Sequence, residues 1–169
     1  MKLDWKRLES WLLANEPETL ADLNPPATTT EIQELERKLG YGLPSGYLEC
    51  LKVHAGQQGK AKWLFDGHEF LSMRNVVLSW SAWNDLAEDG DLDGFKAKPS
   101  EEIQPVWWSR SWVPFASDGG GDFLCLDMAP ASSGRVGQVI KTFHDFPNRT
   151  LLAPDFDSWF TKFVDSKVG

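Results

Sequence analysis

Residues 112–127 have the sequence WVPFASDGGGDFLCLD, and this stretch decides the fold class. Two apolar runs, Trp112–Phe115 and Phe123–Leu126, flank a turn at Asp118–Asp122 that contains three successive glycines. Glycine supplies the positive φ angles that a tight connection between strands needs, at no steric cost. The stretch therefore predicts two strands of one sheet, with at least one turn glycine at positive φ. Pro114 indicates an edge or a bulge in the first strand.

On either side of this stretch the pattern changes. Val136–Phe143 predicts another strand, whereas the first half of the chain has apolar residues at helical spacing. Thr28–Gly40 predicts a helix that begins with a capping box of Thr28 and Glu31 and ends at Gly40. Pro44–His54 predicts a second helix, because proline suits the first helical turn.

Further elements are assigned from weaker local signals. The chain begins with an amphipathic helix for which Asp4 is the expected N-cap, and Ser72 is the expected cap of a helix that carries Trp80. Two short strands are expected at Trp63–Phe65 and Phe70–Leu71, and a last helix is expected to pack the apolar stripe of Phe156, Trp159, Phe160 and Phe163 on the core.

Helices thus precede strands along most of the chain. This order predicts an α+β fold: a single domain in which a mainly antiparallel sheet packs against several helices. Residues 1–25 are assigned to an N-terminal helix and linker that precede the core of the domain. A chain of 169 residues is long enough for one hydrophobic core.

Composition narrows the function classes. The net charge is −8 and the isoelectric point is about 4.8, so the surface repels phosphate backbones and nucleic-acid binding is not expected. The N-terminal residues lack the apolar region of a signal peptide, and no apolar run is long enough to span a bilayer. We therefore expect a cytoplasmic protein with no membrane contact.

Residues that could carry catalysis are sparse. Cys50 and Cys125 both lie in apolar runs, which favours two buried, inert thiols, although a disulfide between them stays open. The carboxylates of Asp118, Asp122 and Asp127 could hold a hard cation, and a metal-dependent hydrolase is therefore an alternative function. Their spacing does not match the EF-hand pattern, and turn chemistry alone explains the glycines. We expect no enzyme activity, no cofactor and no metal.

The strongest sequence signal for a protein-contact surface lies in residues 85–110. The acidic segment, residues 85–102, contains seven acidic and two basic residues, a local charge of −5. Trp107, Trp108 and Arg110 follow it directly, and tryptophan and arginine are enriched at binding hot spots. If this stretch is extended, adjacent residues point to opposite faces and one of the two tryptophans is exposed; the alternative is that both are packed under a loop. The predicted partner-contact residues are Asp89, Asp91, Asp93, Trp107, Trp108, Arg110, Asp118 and Asp122.

Three stretches, in order, resemble the SUKH superfamily. The first runs from Pro26–Ala27–Thr28 through Leu35–Glu36 and Leu43–Pro44 to His54–Ala55–Gly56, the second is residues 112–127, and the third is Gly134–Val139. The resemblance covers residues 26 to about 165. It implies a role in binding proteins: bacterial members are commonly immunity proteins that neutralise a toxin, often a nuclease, and fungal members act in signalling and wall assembly.

The leading hypothesis from the sequence is therefore a cytoplasmic protein-binding domain that acts as an immunity protein against a cognate toxin. The toxin is expected to be basic if charge complementarity governs the contact. The alternatives are a regulatory scaffold without a toxin partner and the metal-dependent hydrolase.

Overall fold

The computed structural model describes all 169 residues, which form one domain. Six helices and six strands follow one another as α1 (Lys2–Asn15), α2 (Pro17–Asp22), α3 (Thr29–Leu39), α4 (Ser45–Leu51), β1 (Glu69–Phe70), α5 (Met73–Glu88), β2 (Lys98–Pro99), β3 (Trp112–Ser117), β4 (Phe123–Asp127), β5 (Gln138–Thr142), β6 (Asn148–Ala153) and α6 (Phe156–Val168).

The strands form one mixed sheet in the order β1-β3-β4-β5-β6-β2. Every neighbouring pair is antiparallel except β2 and β6, which run parallel. The predicted α+β class with a mainly antiparallel sheet is confirmed. The expected irregularity at Pro114 is present as a shift of register between Pro114 and Ala116.

Local chemistry explains where the predicted helices begin and end. Both hydrogen bonds of the capping box are present, since the Thr28 side chain accepts from the Glu31 amide and the Glu31 carboxylate accepts from the Thr28 amide. Gly40 ends α3 at a φ of 88°. Ser72 caps α5 as predicted, accepting from the Asn75 amide. None of the six helices combines the length and the apolar character needed to cross a membrane.

Two local predictions are wrong. Asp4 is not the N-cap of α1 but lies in its first turn, where its carboxylate is paired with the amino group of Met1 at 3.0 Å. Residues 63–65 form a turn instead of a strand, because Phe65 exchanges two backbone hydrogen bonds with His68. A third contact ties this turn inward, since the Leu64 amide donates to the buried side chain of Gln57.

The sheet is buried on both faces. The front face packs on α1, α4 and α6 and belongs to the main core of 31 buried residues. The back face carries a separate cluster of six buried residues, which the chain before β3 covers. The strand residues on the front face include Val113, Phe115, Leu124, Leu126 and Val139, and the back cluster consists of Ile103, Trp108, Trp112, Phe123, Cys125 and Ile140.

The two cysteines lie on opposite faces of the sheet. Cys50 belongs to the main core and Cys125 to the back cluster. Both are free and buried, and burial raises the pKa of each thiol well above its usual range. The expectation of two buried thiols is confirmed, and the alternative of a disulfide is excluded.

Both edges of the sheet are closed to a further strand. At β1, the amide and carbonyl of Phe70 are both bonded to Gln57. At β2, the amides of Lys98 and Ser100 point inward to β6, and the residue between them is Pro99, which has no amide hydrogen. A partner of this domain must therefore contact side chains instead of extending the sheet.

Candidate protein-contact surface

The acidic segment leaves the last turn of α5, crosses the back of the sheet and ends just after β2. Leu92 packs against the back cluster, whereas Asp89, Asp91 and Asp93 are exposed. None of these three carboxylates lies within ion-pairing distance of a cation. The segment therefore presents negative charge that the molecule does not itself neutralise.

The tryptophans that follow the acidic segment are not surface residues. The exposed fractions of Trp107 and Trp108 are 8% and 7%, so of the two alternatives the one in which both are packed under a loop is found. The reason is the backbone: residues 104–109 form bends and coil instead of a strand. The alternation of faces that holds in a strand therefore does not apply to them.

Trp108 fastens the C-terminal half of α5 to the back face of the sheet. Its indole Nε1 donates to the side-chain oxygen of the buried Asn84 at 2.9 Å. Its ring lies 5.3 Å from the ring of Trp83, 5.8 Å from that of Trp112 and 6.1 Å from that of Phe123, centroid to centroid. These contacts explain why a tryptophan occupies this position without any partner protein.

Trp107 is held by Arg149, a buried residue of β6 that the sequence did not single out. The guanidinium carbon lies 4.4 Å from the centroid of the Trp107 ring, and Nε and Nη2 both donate to the Trp107 carbonyl, at 2.9 and 2.6 Å. Nη1 donates to the carbonyls of Phe146 and Asn148. No carboxylate pairs with Arg149, and burial lowers the pKa of its guanidinium to about 10, so it stays charged at neutral pH.

The Arg149–Trp107 unit supports two exposed aromatic side chains. Phe95 is 55% exposed, and its ring lies 4.8 Å from that of Trp107. Phe146 is 56% exposed and is tied to the same unit through the bond from its carbonyl to Arg149. We call these two residues, with Asp89, Asp91 and Asp93, the acidic–aromatic surface. It combines exposed apolar area on a rigid support with unneutralised charge, which is the composition of a contact face.

Arg110 links the acidic segment to the start of β3. Its exposed guanidinium pairs with Glu88 at 2.8 Å and lies 5.8 Å from the ring centroid of Trp80. Its carbonyl accepts from the indole of Trp80 at 2.8 Å. Together with the contact between the rings of Trp107 and Phe95, the pair of Arg110 with Glu88 shows that the acidic segment and residues 107–110 are neighbours in space.

The glycine turn between β3 and β4 is a self-contained structure. Gly119 and Gly121 have φ angles of 76° and 111°, as the sequence predicts for at least one glycine. Partial burial works to raise the pKa of Asp118, yet hydrogen bonds from the amides of Gly120 and Asp122 lower it below its usual value. Asp118 therefore has a structural role in closing the turn.

Asp122 connects the glycine turn to the turn between β5 and β6. Its carboxylate accepts from the His144 backbone amide at 3.0 Å and lies 2.8 Å from His144 Nδ1. The other ring nitrogen is 3.7 Å from Asp145. Phe146 of the acidic–aromatic surface belongs to the same turn, two residues after His144.

The three carboxylates of the hydrolase alternative do not converge. Asp122 immediately precedes β4 and Asp127 ends it, so the two residues are about 17 Å apart along the strand. Asp127 is buried, and its oxygens accept from the Ala129 amide and from the side chain of Gln138. Burial is the main reason that its pKa is raised. Asp127 therefore anchors the loop after β4 instead of contributing to an open metal site.

Comparison of the sequence with known proteins identifies the family of this chain. The family model described as "SMI1 / KNR4 family (SUKH-1)" matches residues 26–162. The cell wall assembly regulator SMI1 of Saccharomyces cerevisiae is 23% identical over 96% of this chain and 39% of its own length. The cell wall biosynthesis/cell cycle regulator smi1 of Schizosaccharomyces pombe is 27% identical over 88% of this chain and 32% of its own length.

A third relative, KNR4/SMI1 homolog 2 of Debaryomyces hansenii, is 27% identical over 98% of this chain and 35% of its own length. The chain thus spans between about a third and two fifths of these three relatives. The two descriptive names among them are those of regulators, not of enzymes. The match over residues 26–162 covers most of the sequence, and this chain belongs to the SMI1/KNR4 family (SUKH-1).

Proposed function

We propose that this chain is a protein-binding regulatory domain that acts by direct contact through its acidic–aromatic surface. One observation carries the proposal: Asp89, Asp91 and Asp93 have no cation partner and lie within six residues of an exposed phenylalanine, Phe95, whose ring contacts that of the buried Trp107. The regulator names of the fungal relatives favour this role over toxin neutralisation. The proposed partner is a protein with a basic contact face.

The two components of the surface have different tasks in this proposal. Exposed charges at a rim attract an oppositely charged partner and mainly set the rate of association. An aromatic side chain that the partner desolvates mainly sets the lifetime of the complex. Phe95 loses little conformational freedom on binding, because its ring already rests on Trp107. The support under Phe95 is thus part of the binding mechanism.

The test begins with a photo-crosslinkable benzophenone amino acid at position 95. A partner that docks on this surface is crosslinked there but not from the matched position 13, where Leu13 is 67% exposed on α1. With the crosslinked partner purified, the D89N/D91N/D93N variant is expected to associate more slowly and with a weaker dependence on salt. Phe95→Ala is expected to dissociate faster, by about 2 kcal/mol if this residue is a hot spot.

A second triple variant controls for net charge. E18Q/D66N/D165N removes the same number of charges from exposed positions outside the acidic segment. It should bind like the wild type apart from a small general change in association rate. If both triple variants and Phe95→Ala bind like the wild type, the contact face lies elsewhere on the domain.

Toxin neutralisation is a narrower form of the same mechanism, in which the basic partner is a toxin. The unneutralised aspartates suit such a partner as well as they suit a regulatory one. The distinguishing experiment is co-expression with any toxin encoded by a neighbouring gene. Protection of the cells that is lost in D89N/D91N/D93N and kept in E18Q/D66N/D165N would favour the immunity role.

A further inference from the structure

A cavity that lies away from the acidic–aromatic surface occupies a groove between α3 and α5. Its volume is about 520 Å³, within the range of ligand and peptide sites. A second cavity of about 250 Å³ shares Glu31, Met73 and Arg74 with it and extends past Pro25 and Pro26. The two cavities therefore form one elongated groove with Arg74 near its middle.

The wall of the groove is apolar where the two helices approach each other. Leu35 forms its deepest part, and Met73, Val77 and Leu78 line the side of α5. Leu78 is 54% exposed, and no element of the domain covers it. Its exposure has no explanation in the packing of the domain, unlike the exposure of polar residues around it.

The charged side chains along the groove differ in whether they have an ion-pair partner within the domain. Glu34 is neutralised by Arg37, which bonds both of its oxygens at 2.9 and 2.7 Å. Glu31 accepts hydrogen bonds from Thr28 in the capping box of α3 and keeps its negative charge, and Lys38 Nζ lies 3.7 Å from a carboxylate oxygen of Glu34. Arg74 is exposed and has no carboxylate within ion-pairing distance. The two glutamates are thus offset by Arg37 and Lys38, and Arg74 leaves one positive charge in surplus at this groove of a protein whose net charge is −8.

We propose that the groove is a docking site for a short segment of a partner protein that presents one apolar side chain and one carboxylate. The apolar side chain would pack on Leu78 and Val77, and the carboxylate would pair with Arg74. Arginine is suited to this task because it binds a carboxylate through two parallel hydrogen bonds. A groove that is open along its length fits a chain segment better than a small molecule, which needs enclosure.

This inference rests on the proposed protein-binding role but concerns a different surface and an opposite charge. The two surfaces share α5. Leu78 and Asp85 are exposed two turns apart on the same side of this helix, about 10 Å along its axis. The domain could therefore hold an acidic segment at one end of α5 and a basic face at the other, as expected of a regulator that joins two contacts.

The experiment uses a library of short random peptides displayed on phage and selected against the intact domain. The expected peptides combine an aliphatic or aromatic residue with Asp or Glu. Arg74→Glu and Leu78→Glu should each weaken a selected peptide by roughly tenfold or more, measured by fluorescence anisotropy. Replacing the acidic residue of the peptide by lysine should restore binding to Arg74→Glu, which a merely structural role of Arg74 would not allow.

Control variants distinguish the groove proposal from the proposal that the acidic–aromatic surface binds a partner. Leu13→Glu and Lys162→Glu place the same changes at exposed positions outside the groove and should leave the peptide affinity unchanged. Failure to select any acidic–apolar peptide would overturn the groove proposal. Peptides whose binding is lost in D89N/D91N/D93N but kept in Arg74→Glu would also overturn it, while leaving the proposed function intact. Concentration-dependent self-association that Arg74→Glu abolishes would identify the occupant as a second copy and overturn it too.

Discussion

The front and back faces of the sheet are covered in different ways. Regular helices cover the front, and their apolar stripes interlock with alternate strand residues in a core of 31 buried residues. An irregular segment covers the back, over a cluster of only six buried residues, and the buried Arg149 is one of the few residues that hold it there. The front face therefore accounts for most of the stability, and the outer side of the back cover is left to carry charge and exposed aromatic rings.

The front and back covers of the sheet therefore have different roles: the helices on the front define the fold, and the segment on the back carries the proposed contact surface. A helix docked on a core is constrained at every third or fourth residue. The acidic segment is constrained at a few points, chiefly Leu92, Ile103 and the two tryptophans, so its remaining side chains are free to suit a partner. We expect changes on the front to affect folding and changes on the back to affect local order or binding.

The largest expected effect is on the front face. Phe115 is completely buried, and its ring contacts those of Tyr47, Phe65, Phe156 and Trp159. Phe115→Ala should lower the free energy of unfolding by about 3–5 kcal/mol, or prevent folding, because it leaves a cavity that rigid neighbours cannot fill. Urea unfolding measures the loss, and Phe115→Leu, which keeps most of the volume, should cost much less. A loss below about 1 kcal/mol would contradict the assignment of stability to this face.

The sequence predicted the front face well because its signals are local and periodic. The capping box of Thr28 and Glu31, the glycine turn and the apolar runs beside it each specify one element without reference to the rest of the chain. The back face was predicted poorly. The pairing of Arg149 with Trp107 joins residues 42 positions apart, and no spacing rule connects an arginine in a strand to a carbonyl in a distant loop.

What the sequence left undecided about the candidate site has the same origin. Burial of both Trp107 and Trp108 requires irregular backbone, which periodicity does not describe. The role of Phe95 could not be predicted from the sequence, because its contact with Trp107 forms only when the segment folds onto the sheet. Charge, in contrast, is additive along a sequence, and the accumulation of acidic residues at 85–102 was therefore visible without a structure.

A smaller effect, and one confined to the back face, is expected from Arg149→Met. The change removes the donors to the carbonyls of Trp107, Phe146 and Asn148, and leaving buried acceptors unsatisfied costs about 1–3 kcal/mol. Hydrogen exchange should accelerate in residues 95–107 and at the amides of Lys98 and Ser100, which pair with β6.

The front face supplies the internal reference for this measurement, because amides of α1 and α6 should keep their protection in Arg149→Met. Arg110→Met is the matched control, since this exposed arginine forms only a surface pair with Glu88 and its loss should cost less than about 1 kcal/mol. Uniform loss of protection over both faces would show that the two are one cooperative unit and would end the distinction drawn between them.

The next prediction concerns the glycine turn between β3 and β4, which belongs to neither face of the sheet. Gly121 has a φ of 111°, and a Cβ atom there would lie 2.9 Å from Cβ of His144. Gly121→Val should therefore destabilise the domain by about 1–3 kcal/mol through backbone strain and this close contact. Gly120→Ala is the control, because Gly120 lacks a positive φ and its nearest neighbour is the flexible Asp118 carboxylate. Equal stability of the two variants in urea would contradict the need for glycine at position 121.

The smallest expected effect is a pH dependence from His144. The hydrogen bond with Asp122 raises the pKa of its imidazole above the ordinary value, with a further contribution from Asp145 and Asp118. Its contribution to stability is therefore fully present below about pH 6.5 and is lost as the pH rises through the higher folded-state pKa. His68 responds in the opposite direction, because burial lowers its pKa. The wild-type profile alone thus mixes the two histidines, and the comparison with His144→Gln isolates one.

Thermal unfolding of the wild type and His144→Gln between pH 5.5 and 8.5 provides the measurement. The difference in melting temperature should be largest at the acidic end and should shrink as the pH rises, because only the imidazolium is attracted by Asp122 and Asp145. High salt should reduce this difference, since the pairs are exposed enough to be screened. Asp145→Asn, which removes only the longer contact of 3.7 Å, should reproduce a minor part of the effect. A difference that grows with rising pH would mean that His144 is bound as the neutral imidazole, and that its link between the glycine turn and the Phe146 turn is a simple hydrogen bond rather than an ion pair.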